Sequence, residues 1–441
     1  MAALTPRWSR RDLLKTTAAA LPAWFVESSV RPALAAEKSP NARPRVALVG
    51  CGGMGQHDAR LAKRFGDVVA VCDVDAAHLA AAAKAFKGAE KFSDYRKVCD
   101  APNVDVIINA TPDHWHTLIN LRAVRSGKDV YAEKPLTLTI DEGKRLVAAV
   151  KESGRILQVG SQQRSDATFR LACELVRNGR LGKIERVRTW LPSGLHDGPF
   201  ATAPAPPGLD WDFWQGQTQP VDYVPQRCHQ TFRYWYDYSG GTMTDWGAHH
   251  NDIALWGLGK DRSGPVSAEG RPLVDPIPGG YTAPSQYEVK FVYDDGVEHF
   301  CRSTSANTWG GGVQGRPGPG EKYHGVQFEG ADGWLYVTRG GKLEASDPDL
   351  IKTPLPSDAQ RLYASDDHMA NFFECIATRD APICDVEIGH RSVSCCHVGV
   401  IAIRLGRQVH WNPDSEQFVD DDEANAMVAR EQRQAYSYET M

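Results

Sequence analysis

Past residue 36 the chain never reaches the roughly 20 uninterrupted apolar residues of a membrane-spanning helix, so that region offers no candidate span. None of its ten cysteines forms a C-x-x-C pair, and no Cys/His spacing fits a zinc site. No dense basic stripe offsets the formal charge of −5, which argues against nucleic acid and anionic membrane surfaces as partners. No internal repeat is visible. What is present is ordinary for a soluble globular protein, with 42% hydrophobic and 24% charged residues. A length of 441 residues suits two domains and an extra segment.

The N-terminus supplies the extra segment. Ser9-Arg10-Arg11-Asp12-Leu13-Leu14-Lys15 resembles the twin-arginine export signal, a moderately apolar run follows, and Ala33 to Ala36 offer a small-residue cleavage site. The expectation is a signal peptide over residues 1–36, handled by the twin-arginine machinery, and a periplasmic or secreted product. An uncleaved signal would instead tether the protein to the membrane. Removing residues 1–36 takes away five basic and two acidic residues and leaves a formal charge of −8. An oxidising compartment would permit disulfides, but the sequence does not pair them. Cys51, Cys72, Cys395 and Cys396 all fall in patterns that read as buried.

From Arg45 the pattern alternates. "RVALVG", "VVAVCD", "VDVIINAT", "DVYAEKP" and "RILQVG" read as buried parallel strands, and the segments between them as amphipathic helices. Thr139 and Glu142 form a capping box that opens one of those helices. Such βαβα alternation means a doubly wound parallel sheet. The first turn, "GCGGMG", fits G-x-G-x-x-G with Gly50, Gly52 and Gly55, and Gly53 and Met54 lie within it. Asp73 follows Gly50 by 23 residues, at the end of the next strand. Glycines let the backbone approach a pyrophosphate at a helix N-terminus, and the carboxylate accepts from ribose hydroxyls. Asp73 selects NAD over NADP, since a 2′-phosphate would meet its charge. Ligands of open α/β sheets bind beyond the strands' carboxyl ends. That rule adds Thr111, Pro112 and His116 from "ATPDHWH", and Glu133 and Lys134 from "EKP", to the candidate cofactor contacts. His114 and His116 read equally as polar residues at a helix start.

Thr244 to Asp252 read "TDWGAHHND". On a helix, Asp245, His249 and Asp252 share a face, and His250 points about 100° away. Three such groups could hold a metal, but a chain that already supplies a hydride acceptor and a lysine leaves a metal no task; none is expected. Asp252 is a candidate partner for the His249 ring or a backbone group, or is purely structural. His250 is a neighbour in the core or against substrate.

The second half is rich in strand signals. Residues 192–226 carry seven prolines, and a packed loop without helix or regular strand is expected there. Trp211 in this loop could stack on a sugar ring, as could Arg233 contact one, although a structural aromatic is the commoner case. "YEVKFVYDDGVEHFCRST" and "GVQFEGADGWLYVTRG" read as hairpins, with a glycine-rich flexible loop at 309–320 between them. "DDHMANFFECIATRD" and "SVSCCHVGVIAIRLGR" read as helices, and the acidic tail from Asp420 as a peripheral helix or arm.

In their order, "GCGGMG", "CDVD", "TPDHWH", "EKP" and "GGTMTDWGAHHND" resemble the glucose–fructose oxidoreductase/inositol dehydrogenase family, Gfo/Idh/MocA. The resemblance is strongest over residues 45–160 and 240–258. It implies a Rossmann domain (44–160), a second α+β domain on a large, mostly antiparallel open sheet (161–410), and leaves 411–441 as a C-terminal arm. It implies NAD(P)-dependent oxidation of sugars, inositols and related polyols, with Lys134, Asp245 and His249 in the family's catalytic positions. It also implies a homo-oligomer, dimer or tetramer, paired through the face of the open sheet.

Oxidising a secondary alcohol sends a hydride to the nicotinamide and a proton to a base. Here His249 and Lys134 would share the proton, with Asp245 orienting the imidazole or binding a substrate hydroxyl. Twin-arginine export carries folded proteins, and the periplasm has no nicotinamide pool. A tightly bound, internally recycled NAD follows. Two alternatives stand beside this reading: an NAD-dependent glycoside hydrolase working by transient oxidation and elimination, and a non-catalytic, NAD-containing sugar-binding protein.

Overall fold

The computed structural model describes residues 43–306, 318 and 320–440. The expected export segment and most of the expected glycine-rich loop lie outside the described residues.

Six parallel strands form the first sheet: β1 (Arg45–Val49), β2 (Asp67–Cys72), β3 (Glu90–Phe92), β4 (Val106–Asn109), β5 (Asp129–Ala132) and β6 (Leu157–Val159). Their order is β3-β2-β1-β4-β5-β6. Alternate residues of each strand enter different cores. Val46, Leu48, Val106 and Ile108 face one side, and Ala47, Val49, Ile107 and Val130 the other. Burial on both faces is why these strands read as unbroken apolar runs. One face is covered partly by a helix from far along the chain, His368–Thr378, through Met369, Phe372 and Phe373. Between β1 and β4 the winding direction reverses, which opens a crevice at their carboxyl ends.

Nine strands form the second sheet: β7 (Ile184–Leu191), β8 (Ser267–Val274), β9 (Gln286–Val292), β10 (Glu298–Ser303), β11 (Gly325–Gly330), β12 (Gly333–Thr338), β13 (Lys342–Ala345), β14 (Gln408–Asn412) and β15 (Gln417–Phe418). Their order is β13-β12-β11-β7-β10-β9-β8-β14-β15. All pairs are antiparallel except β7 with β10. Val187, Val289, Phe291, Cys301 and Phe328 point to a core shared with helices Ala167–Arg177, Gly247–Leu258 and Val386–Leu405. The opposite face is polar, with Arg186 and Arg188 on Glu329 and Arg271 on Glu288.

Two expectations need correction. A short helix, Trp211–Gln215, forms inside the proline-rich loop. The prolines stop at Pro207 and resume at Pro220, and Asp210 caps the gap by accepting from Phe213 N at 3.0 Å. The sheet also runs on past residue 411 through β14 and β15, before a turn of helix at Asp422–Asn425 and an extended arm. All ten cysteines are buried and free.

Candidate active site

The crevice becomes a cleft of about 940 Å³, walled on one side by the carboxyl ends of the first sheet's strands and on the other by residues of the second half of the chain. Its floor is the glycine turn. Gly50 adopts φ +88°, and a Cβ there would lie 2.6 Å from the backbone of Ala110 and Thr111. At Gly55 a Cβ would sit 2.0 Å from Gly50 O, so this glycine packs the helix against the turn instead of lining the cleft. Gly52 and Gly53 face open space, Met54 is exposed, and the N-terminus of helix Gly53–Ala62 points the same way. Open backbone and unpaired N–H groups at a helix start fit a dinucleotide's phosphates.

Asp73 lines the same cleft. Its carboxylate accepts from Cys51 N at 2.7 Å and Asp75 N at 2.9 Å, and burial raises its pKa against those bonds. Beside it the rings of His78 and His229 stand 4.5 Å apart, with His229 Nε2 3.2 Å from Asp75 Oδ2. His229 follows directly on the proline-rich segment, which is fastened to the β2 turn by Ala76 N to Gly208 O (2.9 Å) and Asp210 N to Val74 O (3.2 Å). The second half of the chain thus straps the Asp73 end of the cleft.

At the other end, Lys134 leaves β5 and meets Asp245, which sits where helix Thr242–Asp245 passes into helix Gly247–Leu258. Lys134 Nζ is 2.5 Å from Asp245 Oδ1 and 3.1 Å from its carbonyl. Arg233 Nε approaches the same carboxylate at 3.3 Å. Burial alone would raise the Asp245 carboxyl, but Lys134 and Arg233 more than offset this and hold it well below the usual carboxylate range. His249 lines the cleft one turn later. Burial, then the charges of Lys134 and Arg339, push its imidazole well below its ordinary value, so it rests neutral. Its Nδ1 is buried without a hydrogen-bond partner among the described residues.

The expected roles change in detail. Asp245 orients Lys134, not the His249 ring. Asp252 gives both oxygens to Arg164, at 2.7 and 2.8 Å, in a pair that is 1% exposed on each side. His250 Nε2 bonds His324 Nδ1 at 3.1 Å, and the ring stacks on Trp246 away from the cleft. His116 is also behind the wall, its ring nitrogens facing the carbonyls of Pro135 (2.7 Å) and Thr111 (2.8 Å); it ties the two strand ends together. Trp211 stacks on Trp214 and donates to Val221 O, so Trp214, not Trp211, faces the cavity. Glu133, Thr111 and Pro112 do line the cleft, with Glu133 bonded to Gln162 and to Lys134 N.

Among the lining residues not foreseen from the sequence, three bear on the chemistry. Asp113, at the start of helix Asp113–Arg125, accepts from Ser239 Oγ at 2.5 Å, and burial raises its pKa to about 7. Trp246 and Arg339 complete the wall. Asp113 was legible as the helix-opening acid of "TPDHWH"; Arg339, at the end of β12, carries no motif.

Residues 44–161 match the family described as "Oxidoreductase family, NAD-binding Rossmann fold", and residues 193–438 its "C-terminal alpha/beta domain". Among curated relatives, scyllo-inositol 2-dehydrogenase (NAD(+)) of Bacillus subtilis is 28% identical over 51% of this chain and 55% of its own length. Myo-inositol 2-dehydrogenase of Thermotoga maritima is 26% identical over 52% and 59%. The chain therefore spans somewhat more than half the length of these curated relatives. Among solved structures, the WlbA dehydrogenase of Bordetella pertussis, in complex with NADH and UDP-GlcNAcA, superposes with a TM-score of 0.62 at 20% identity, covering 83% of this chain and 98% of that one. The aldose-aldose oxidoreductase of Caulobacter crescentus gives 0.61 at 20% identity over 83% and 99%. With both of its halves matched by the family's two domains, the chain belongs to the Gfo/Idh/MocA oxidoreductase family.

Proposed function

We propose that this protein is an NAD-dependent oxidoreductase acting on a secondary hydroxyl of a sugar or polyol, with a tightly held cofactor recycled in place. The observation that carries the reading is one continuous cleft, with the glycine turn and Asp73 at one end and Lys134, Asp245 and His249 at the other. A nicotinamide bound there supplies the hydride acceptor. The chain's own residues handle the proton. His249, neutral at rest, accepts it from the substrate hydroxyl, and its low proton affinity favours passing it on. Lys134, pinned by Asp245, hydrogen-bonds the same oxygen as its charge develops. Trp214 and Trp246 offer apolar faces to a sugar ring.

Asp73 supports NAD over NADP, because at its end of the cleft the described lining carries imidazoles but no arginine or lysine. The strap over this end supports slow cofactor exchange. Export by the twin-arginine route, a periplasmic destination and pairing of copies through the polar sheet face belong to the same proposal.

The test is to purify the full chain without added nucleotide, denature it, and identify the released cofactor by mass. The native protein is then given a polyol and an aldose together. Released NAD, with one sugar oxidised and the other reduced, is the expected result. Cofactor-free protein that needs continual external NAD would sink the recycling. Hydrolysis of an aryl glycoside with no net redox change would favour the glycoside hydrolase.

A further inference from the structure

Three cations line the substrate end of the cleft: Lys134, Arg233 and Arg339. Lys134 and Arg233 share Asp245. Arg339 has no carboxylate at ion-pair distance among the described residues. Its Nε donates to Gln163 Oε1 at 2.9 Å, and its guanidinium lies 4.8 Å from the centre of the Trp246 ring. Gln163 is itself buried and donates to the carbonyl of His249 at 3.2 Å. The guanidinium is thus fixed by one nitrogen and one face, on the same scaffold as His249, and its two terminal nitrogens have no described partner.

The surroundings make that charge unusual. Asp113 and Glu133 are the other carboxyls at this end; burial raises Asp113 to about 7 and Glu133 above its ordinary value, which weakens the negative charge facing the three cations. The cleft is therefore electropositive inside a chain whose formal charge is −5. A neutral polyol would leave Arg339 with only the longer-range attraction of Asp245 and Glu133, which burial outweighs. A planar guanidinium with a free edge matches a carboxylate or a phosphate through two parallel hydrogen bonds.

Building on the oxidoreductase reading above, we propose that Arg339 anchors an anionic group of the substrate, so that this cleft takes an acidic sugar whose carboxylate or phosphate lies near the carbon presented to Lys134 and His249.

The test is titration calorimetry on the full chain loaded with NAD, using D-glucuronate, D-glucose 6-phosphate and D-glucose as probes, for the wild type and Arg339→Met. At least one anionic probe should bind about tenfold or more tightly than glucose, and Arg339→Met should shrink that margin to under about threefold. Preference for glucuronate alone assigns a carboxylate, and for glucose 6-phosphate alone a phosphate. Equal binding of all three probes, binding of neither anion, or a margin that survives Arg339→Met overturns the proposal. Failure of the redox reading shows separately, as an anionic probe that binds without producing NADH absorbance.

Discussion

Lys134 and Asp245 stand 111 residues apart in the chain and meet through two contacts, one to the carboxylate and one to the carbonyl of the same residue. This double hold fixes the amine at the carboxyl end of β5, where the first sheet faces the second half of the chain. Lys134→Ala should lower kcat by about 10²–10³-fold, the range for loss of one positioned donor to a developing oxygen charge. The cofactor released on denaturation should be unchanged. Wild-type turnover in that variant would remove Lys134 from the mechanism.

The adjacent histidines divide between chemistry and packing. His249 faces the cleft, while His250 is sandwiched with Trp246 and His324. His249→Ala should cost far more activity than His250→Ala, whose main effect should be a lower melting temperature. Steady-state kinetics of both variants, measured where each is fully folded, would expose an inverted order.

Arg164 and Asp252 form a buried bidentate pair behind the site. Removing one partner strands the other charge, so Arg164→Met should destabilise the fold by about 3–5 kcal/mol. The double change Arg164→Met with Asp252→Leu should recover much of that loss in urea unfolding. A double variant weaker than the single one by a further similar amount would contradict the pairing.

Asp113 gives the site a pH-dependent cost. Burial raises its folded pKa to about 7, whereas an unfolded aspartate titrates near 4. The folded protein thus holds a proton that the unfolded chain releases, and stability present below about pH 4 is lost as pH rises through about 7, by roughly 4 kcal/mol. Asp113→Asn cannot titrate. The variant should gain on the wild type between pH 5 and pH 8 in urea unfolding, and a pH-independent difference would rule out a raised Asp113.

The first sheet was readable because strands buried on both faces must be apolar throughout, and because the glycine turn leaves its mark at fixed spacing. What escaped was short or charged: Glu90–Phe92 is a three-residue edge strand with two charged residues, and a periodic pattern cannot arise over such a length. The proline count hid Trp211–Gln215, since it averaged over a gap that one aspartate could cap. In the site, sequence spacing identified the residues near the chemistry but not their partners. Asp245 and His249 share a helical face, yet the aspartate turns to a lysine from another sheet, a choice made by tertiary packing. Arg339 was invisible for the same reason, because a rim arginine is defined by what surrounds it.

The one parallel pair in the second sheet also bears on how the protein is made. β7 begins at Ile184 and its partner β10 at Glu298. On a ribosome adding about 5–20 residues per second, β7 waits several seconds or more for that neighbour. The chain emerging in the interval contains Arg233, Asp245 and His249. The parallel pair therefore closes late, and a nascent chain stalled before β10 lacks both the partner of β7 and the helix His368–Thr378 that covers one face of the first sheet.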